Sequence, residues 1–284
     1  MWFVLSLGSA FVDSVKDIFS KRSSVHLDEY IAAWSLRFFT LLIVGPLMLF
    51  HLPKIVDQDF WVAFGIVIFF GSIASVLYMK ALKNTPLSIA LPIASLTPIF
   101  ILFTSRLVNR ELPSALGIAG VCITVLGAYV LQWSKRAHGF FTPLTHLVTD
   151  QGPRYMLIVA LLWSITSPYD KIAIQHTNPF FYVGMQNLAF TFVLLPFVLF
   201  KGRLRSVFKH SQSLAPLGFG HAIAVVLQMI AVPLTFVSYV TAMKRSSSVF
   251  GIFWGRWFFK EDHFKERLVG CLIILMGIIL MVVS

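Results

Sequence analysis

The chain has 284 residues, of which 57% are hydrophobic and only 12% are charged. A water-soluble domain carries about a quarter charged residues, so this composition excludes a soluble globule and predicts an all-α integral membrane protein. The net charge of +11 lies in short links between apolar runs, which is how membrane-protein loops read, and nucleic acid is excluded as a partner on that ground.

Ten runs of roughly 20 mostly apolar residues, enough for a helix to cross hydrocarbon, begin near Met1, Tyr30, Phe60, Leu87, Ser114, Arg154, Pro179, Ser213, Val237 and Glu266. The first lacks a basic leader and carries Asp13, Lys16 and Asp17, so it reads as a span and not as a cleaved signal peptide. The second holds Arg37, and the third holds Tyr78 with Lys80 toward its end. The fourth, "LSIALPIASLTPIF", contains Pro92 and Pro98; the fifth carries Gly120 and Gly127. A linker over 135–153 separates the halves. Span six then holds Trp163 and Asp170, span seven Gln186 and Asn187, and span eight His221 and Gln228. Span nine sets Lys244 beside Arg245, followed by Ser246, Ser247 and Ser248, and span ten repeats the glycine spacing at Gly270 and Gly277. Cys122 and Cys271 both lie inside apolar runs and read as packing residues. No metal, disulfide or cofactor is expected.

The two halves align without a gap at a shift of 150 residues. Roughly 25 of about 134 pairs are identical, where this composition alone gives about 10. "IASVLYMKA" from Ile73 lies over "IAVVLQMIA" from Ile223, and Lys21/Lys171, Arg106/Arg256 and Glu111/Glu261 recur in one register. Five spans per half is an odd number. The second half must therefore enter the membrane from the opposite side, which gives two inverted five-helix repeats, 1–134 and 154–284. Secondary transporters are often built so, with the substrate near the midplane between repeats.

The closing blocks "SRLVNRELPSALGIAGVCITVLGAYVL" and "GRWFFKEDHFKERLVGCLIILMGIILMV", with the openings "FVDSVKDIFSKR" and "LLWSITSPYDKI", resemble the EamA-type transporters of the drug/metabolite transporter superfamily. The resemblance covers essentially the whole chain. It implies ten helices in two repeats and transport of a small metabolite, most specifically export. It leaves the substrate open, because that superfamily exports amino acids, drugs and metabolites and also carries nucleotide sugars. An acid on the first helix couples protons in a four-helix branch of the superfamily, which implies Asp13 as a proton carrier.

The repeat also assigns depth. Lys244 and Arg245 align with Ala94 and Ser95, well inside span four. A charge at that depth costs about 2.5–3.5 kcal/mol on insertion scales and should face a cavity or a counter-charge. The pair reads as a site for an anionic or zwitterionic small molecule; Asp13, Asp17 and Asp170 are its alternative ion-pair partners, and snorkelling to the interface is the third reading. Arg37 aligns with Asn187, and Tyr78 with Gln228. Polar groups at matched depths predict a shared cavity of Lys244, Arg245, Arg37, Tyr78, Gln186, Asn187 and Gln228, with Asp13 and Asp170 as the coupling acids for a proton or another ion. Glu111 and Glu261 read as caps and surface pairs. Trp34 and Trp163 line the cavity or face lipid.

No D-D-x-x-D, H-E-x-x-H or G-x-S-x-G pattern occurs, which weighs against an enzyme acting on a lipid phosphate. The absence of a Walker-type loop leaves a gradient to drive transport. A lipid-carrier flippase or flippase subunit is the nearer alternative. The predicted location is the inner or plasma membrane, as a multi-pass monomer or homodimer. Loop Lys and Arg counts place both termini outside by the positive-inside rule; the family resemblance implies both inside.

Overall fold

A computed structural model describes residues 1–23, 29–85, 87–133, 150–200, 207, 211–259 and 264–284. Side chains are described over the same residues except 16–23, 29, 87–88, 132–133, 213, 255–259 and 264–267. The linker over 135–149, Lys260 and Glu261, and the side chains of Asp17, Lys21 and Arg256, lie outside that set.

Among the described residues every regular element is helical: α1 (Trp2–Ser23), α2 (Glu29–Phe50), α3 (Gln58–Asn84), α4 (Leu87–Ala94), α5 (Thr97–Val108), α6 (Ala115–Trp133), α7 (Gln151–Gln175), α8 (Pro179–Phe200), α9 (Ser211–Ala231), α10 (Val237–Met243), α11 (Ser247–Phe259) and α12 (Phe264–Val283). Two 3₁₀ turns, Val232–Leu234 and Lys244–Ser246, follow α9 and α10. Among the described residues, six helical stretches are long and apolar enough to cross a membrane: 30–50, 58–84, 89–108, 151–175, 179–200 and 214–234. Shorter apolar helices cover 2–15, 115–131 and 268–283. Large apolar side chains on their outer faces, such as Leu42, Phe69, Phe103, Phe192, Leu272 and Ile279, are exposed, as a lipid solvent permits.

The principal helix pairings all join one half to the other: α1 with α9, α2 with α8, α3 with α7, and α6 with α12. Exchanging the halves maps this set onto itself, as a two-fold relation requires. The α6–α12 contact gives the sense of that relation. A Cβ on Gly120 would meet the Gly277 carbonyl at 2.7 Å, and one on Gly127 would meet the Gly270 carbonyl at 3.0 Å. Residue numbers rise on one helix as they fall on the other, so these equivalent helices run antiparallel and the repeats are inverted. Lipid supplies no hydrophobic drive between helices, and such close backbone approach stands in its place. The contact between α2 and α8 is antiparallel too: Tyr30 stacks on Phe197 at 5.5 Å, Trp34 Nε1 donates to the Thr191 carbonyl at 2.9 Å, and Gly184 packs on Met48. Trp34 is thereby buried between repeats, not turned to lipid.

Span four reads as one helix in the sequence but is broken into α4 and α5 at Ser95–Leu96, and span nine is broken at Lys244–Ser246. At the 150-residue shift these breaks coincide. Pro98 restarts α5, and the hydroxyls of Ser95, Thr97 and Ser246 donate to the carbonyls of Pro92, Ala94 and Met243 at 2.6–2.7 Å. Backbone polar groups freed inside hydrocarbon need such partners. An apolar furrow of about 650 Å³ opens between α3 and α8, lined by residues including Tyr30, Phe64, Ile68, Val76, Leu194 and Phe197.

Candidate functional site

The break in span nine fixes where its two cations stand. A 3₁₀ turn projects side chains differently from the α-helix on either side, and Lys244 and Arg245 are its first two residues. Lys244 Nζ lies 3.1 Å from Asp13 Oδ2 on α1 and donates to Gln228 Oε1 on α9 at 2.7 Å. The two charged side chains retain 26% and 11% of their surface, so solvent or solute reaches the pair. Of the three acids left open by the sequence, Asp13 pairs with Lys244 and Asp170 does not among the described contacts, while the side chain of Asp17 lies outside the described residues. Arg245 points elsewhere, as adjacent residues on a helical turn must. Its Nε is buried without a hydrogen-bond partner, and the groups whose charge it feels are Tyr78 on α3 and Asp13. Tyr78 in turn packs against Trp163 on α7, with ring centroids 5.2 Å apart. Lys244, Gln228, Asp13, Arg245 and Tyr78 therefore gather around the break, drawn from four elements and both halves.

Arg37, Gln186 and Asp170 gather around a second centre. Arg37 approaches His221 Nε2 at 3.5 Å and Ser75 Oγ at 3.4 Å, and its guanidinium lies over the Phe190 ring at 4.5 Å. Asp170, on α7, accepts hydrogen bonds from the Tyr182 hydroxyl and from Gln186 Nε2, the latter at 3.2 Å. Asn187 is fully buried; its amide donates to the Val183 carbonyl of its own helix at 2.8 Å, and its Oδ1 has no partner. Tyr182 was not singled out in the sequence. The available signal was its spacing of four from Gln186, which puts both on one face of α8.

A third set of contacts ties the halves together at one end of the molecule. Lys171 Nζ lies 2.5 Å from Glu111 Oε1 and donates to the Thr235 carbonyl at 2.7 Å. Arg110, with φ at 56°, takes the left-handed conformation that turns the chain into Glu111. Glu111 thus serves as a half-buried bridge, more than a surface cap. At the same end, His176 Nδ1 meets Asp57 Oδ2 at 2.5 Å, and Asn178 Nδ2 donates to the His51 carbonyl at 2.8 Å. Asp57 is held below the usual carboxylate range, first by the Phe60 N–H that it caps and then by His176. Asp57, Asp59 and His176 have ligand atoms within 4.8 Å of one another. Because Asp57 is already engaged as a helix cap and an inter-half tie, the cluster has a structural explanation without a metal.

A family model described as the EamA-like transporter family matches residues 1–133 and 152–283. No curated protein matches the chain. A solved structure, described as a crystal structure of a protein, is similar over 99% of this chain and 97% of its own, with a TM-score of 0.78 and 18% identity. At that identity the likeness concerns the fold alone.

Proposed function

The chain belongs to the EamA-like transporter family, and we propose that it is a secondary transporter that exports a small anionic or zwitterionic metabolite by alternating access. In this reading ten spans form two inverted repeats, 1–134 and 154–284, joined by 135–153. The protein works in the inner or plasma membrane, and the substrate binds between the repeats at the broken helices.

The observation that carries the reading is the cationic pair at the break of span nine. Lys244 is neutralised by Asp13, whereas Arg245 keeps a buried Nε without a partner. A buried guanidinium N–H without an acceptor is expensive inside hydrocarbon, and a carboxylate or similar anion would satisfy it. Tyr78 and Trp163 supply an adjacent aromatic surface for an apolar portion of the substrate. Arg37, Gln186, Asn187 and Gln228 extend the same polar interior, with Asp13 and Asp170 as its acids. Small-anion export measured on cells overexpressing or lacking the protein tests the reading. Arg245→Ala should abolish export at normal membrane abundance, and export at the wild-type rate would sink the assignment.

One observation favours a second reading, a lipid-carrier flippase. The apolar furrow between α3 and α8 is suited to a lipid chain. Transfer of a labelled lipid phosphate across reconstituted vesicles, without small-anion export, would favour it.

A further inference from the structure

The furrow between α3 and α8 combines an open apolar floor with a cation at one end. Its α3 wall runs from Phe64 to Leu77, roughly 20 Å of helix at about 1.5 Å per residue. One leaflet of hydrocarbon is about 15 Å deep, half of the bilayer core, so the furrow is long enough for a lipid chain from a single leaflet. Tyr30 closes the end nearest Leu77, where it stacks on Phe197. Over the Tyr30 ring stands Lys80, with Nζ 5.5 Å from the centroid. Lys80 is one turn past Leu77 on the same face of α3, and Lys83, exposed, follows one turn later.

The protein leaves this space open. Gly65 lies in the furrow wall, and a Cβ there would meet nothing within 4 Å, whereas a Cβ on Gly71 would meet Phe190 at 2.7 Å. A glycine within a helix weakens it relative to alanine, and at Gly65 no close helix contact requires one. Phe69 and Ile73, also in the wall, are exposed, so the furrow opens sideways to lipid.

We propose that this furrow holds one acyl chain of an anionic glycerophospholipid, with the lipid phosphate on Lys80, as a resident ligand and not as cargo. The chain fills apolar space that no side chain occupies. The headgroup stays at the Lys80 end, because Ser72 and Tyr30 are the only polar residues lining the furrow and a charge has no polar path along it. The walls come from both halves, α3 from the first and α8 from the second, so a bound lipid stabilises the form in which they stand at this spacing. The proposal goes beyond the transport reading and holds whichever solute that reading assigns.

Thermal unfolding of the purified full-length protein in detergent, with native mass spectrometry of retained lipid, tests it. The probes are dioleoylphosphatidylglycerol and dioleoylphosphatidylcholine, which share their chains and differ in headgroup charge. The wild type should retain the anionic lipid about fivefold better, the weight of one lysine beside an anionic lipid, and should melt higher with it. Lys80→Gln should erase that preference. Lys54→Gln, which removes an exposed cation before the opposite end of α3, should keep it. Gly65→Leu with Val193→Trp adds bulk at an open position and at a half-exposed one; it should fold and lose the preference. Glycerol phosphate, which lacks the chains, should leave the melting temperature unmoved. Equal retention of the two lipids by the wild type, a preference that survives Lys80→Gln or the filled furrow, or one lost equally in Lys54→Gln overturns the site. A shift with glycerol phosphate as large as with the lipid overturns the role of the chain. Transfer of labelled phosphatidylglycerol across reconstituted vesicles that the filled furrow abolishes makes the lipid cargo and overturns its resident role.

Discussion

Glu111→Gln should loosen one end of the molecule without dissolving the fold. Lys171 is 5% exposed and has two partners, Glu111 Oε1 at 2.5 Å and the Thr235 carbonyl at 2.7 Å. The amide leaves a buried ammonium with a neutral acceptor only. Stranding one member of a buried pair costs about 3–5 kcal/mol. Glu111 keeps 22% of its side-chain surface, so the lower end applies, and about 3 kcal/mol is roughly a hundredfold in an equilibrium. Because the bridge joins the α5–α6 link of one half to α7 of the other, the change should appear as opening between halves. A cysteine introduced at Thr235, in a protein whose native cysteines are replaced, reports this through its alkylation rate by a water-soluble maleimide. That rate should rise by up to about a hundredfold in Glu111→Gln. Replacing both charges, as Glu111→Leu with Lys171→Met, should recover most of the protection, since apolar replacement of a buried pair is often neutral. Wild-type labelling in the single variant, or a double variant more open than the single, would refute the reasoning.

Gly277→Ala would place a Cβ 2.3 Å from Thr124 Oγ1 and 2.6 Å from the Gly120 carbonyl; backbone cannot yield cheaply there, and thermal unfolding in detergent should show a loss of about 1–3 kcal/mol. Arg110→Gly should stabilise by about 1 kcal/mol, because the left-handed conformation at φ 56° penalises any residue with a Cβ; an unchanged or lower melting temperature would count against that strain. The Asp57 tie has a defined pH dependence. Its folded pKa lies below the ordinary 3.8, so its contribution is present above that value and is lost as pH falls through the lower folded one. The melting-temperature gap between wild type and Asp57→Ala should be full at neutral pH and close below 3.8.

The helical character of the apolar runs and the inverted pairing of the halves were legible because a bilayer imposes length and apolarity on each crossing, and because an ungapped repeat relates the halves position by position. The break in span four was signalled by Pro92 and Pro98. Span nine contains no proline from Val237 to Phe259, so its break was reachable only through the register of the repeat. Partner choice was less legible. Asp13 and Lys244 lie 231 residues apart, and hydropathy treats the candidate acids alike; the packing of α1 against the 3₁₀ turn is what brings Asp13, and not Asp170, to Lys244. Tyr182 was hidden for a related reason, since a tyrosine in an apolar helix reads as a packing residue until its hydroxyl meets Asp170.

The two ties at one end differ in their ancestry within the repeat. Lys171 and Glu111 have counterparts in Lys21 and Glu261, whose side chains lie outside the described residues, whereas Asp57 and His176 correspond to Val207 and His26. Val207 cannot supply the carboxylate of Asp57, so the Asp57–His176 tie has no equivalent in the repeat; under the proposed alternating access, the two forms of the carrier would differ by that tie. Under that proposal, such a bias would redistribute the carrier between inward- and outward-facing populations and so set different half-saturation concentrations on the two faces. Around a closed cycle the bias cancels, because each turn visits both forms once. The fastening decides how readily each compartment is sampled, and the gradients alone decide which way cargo flows.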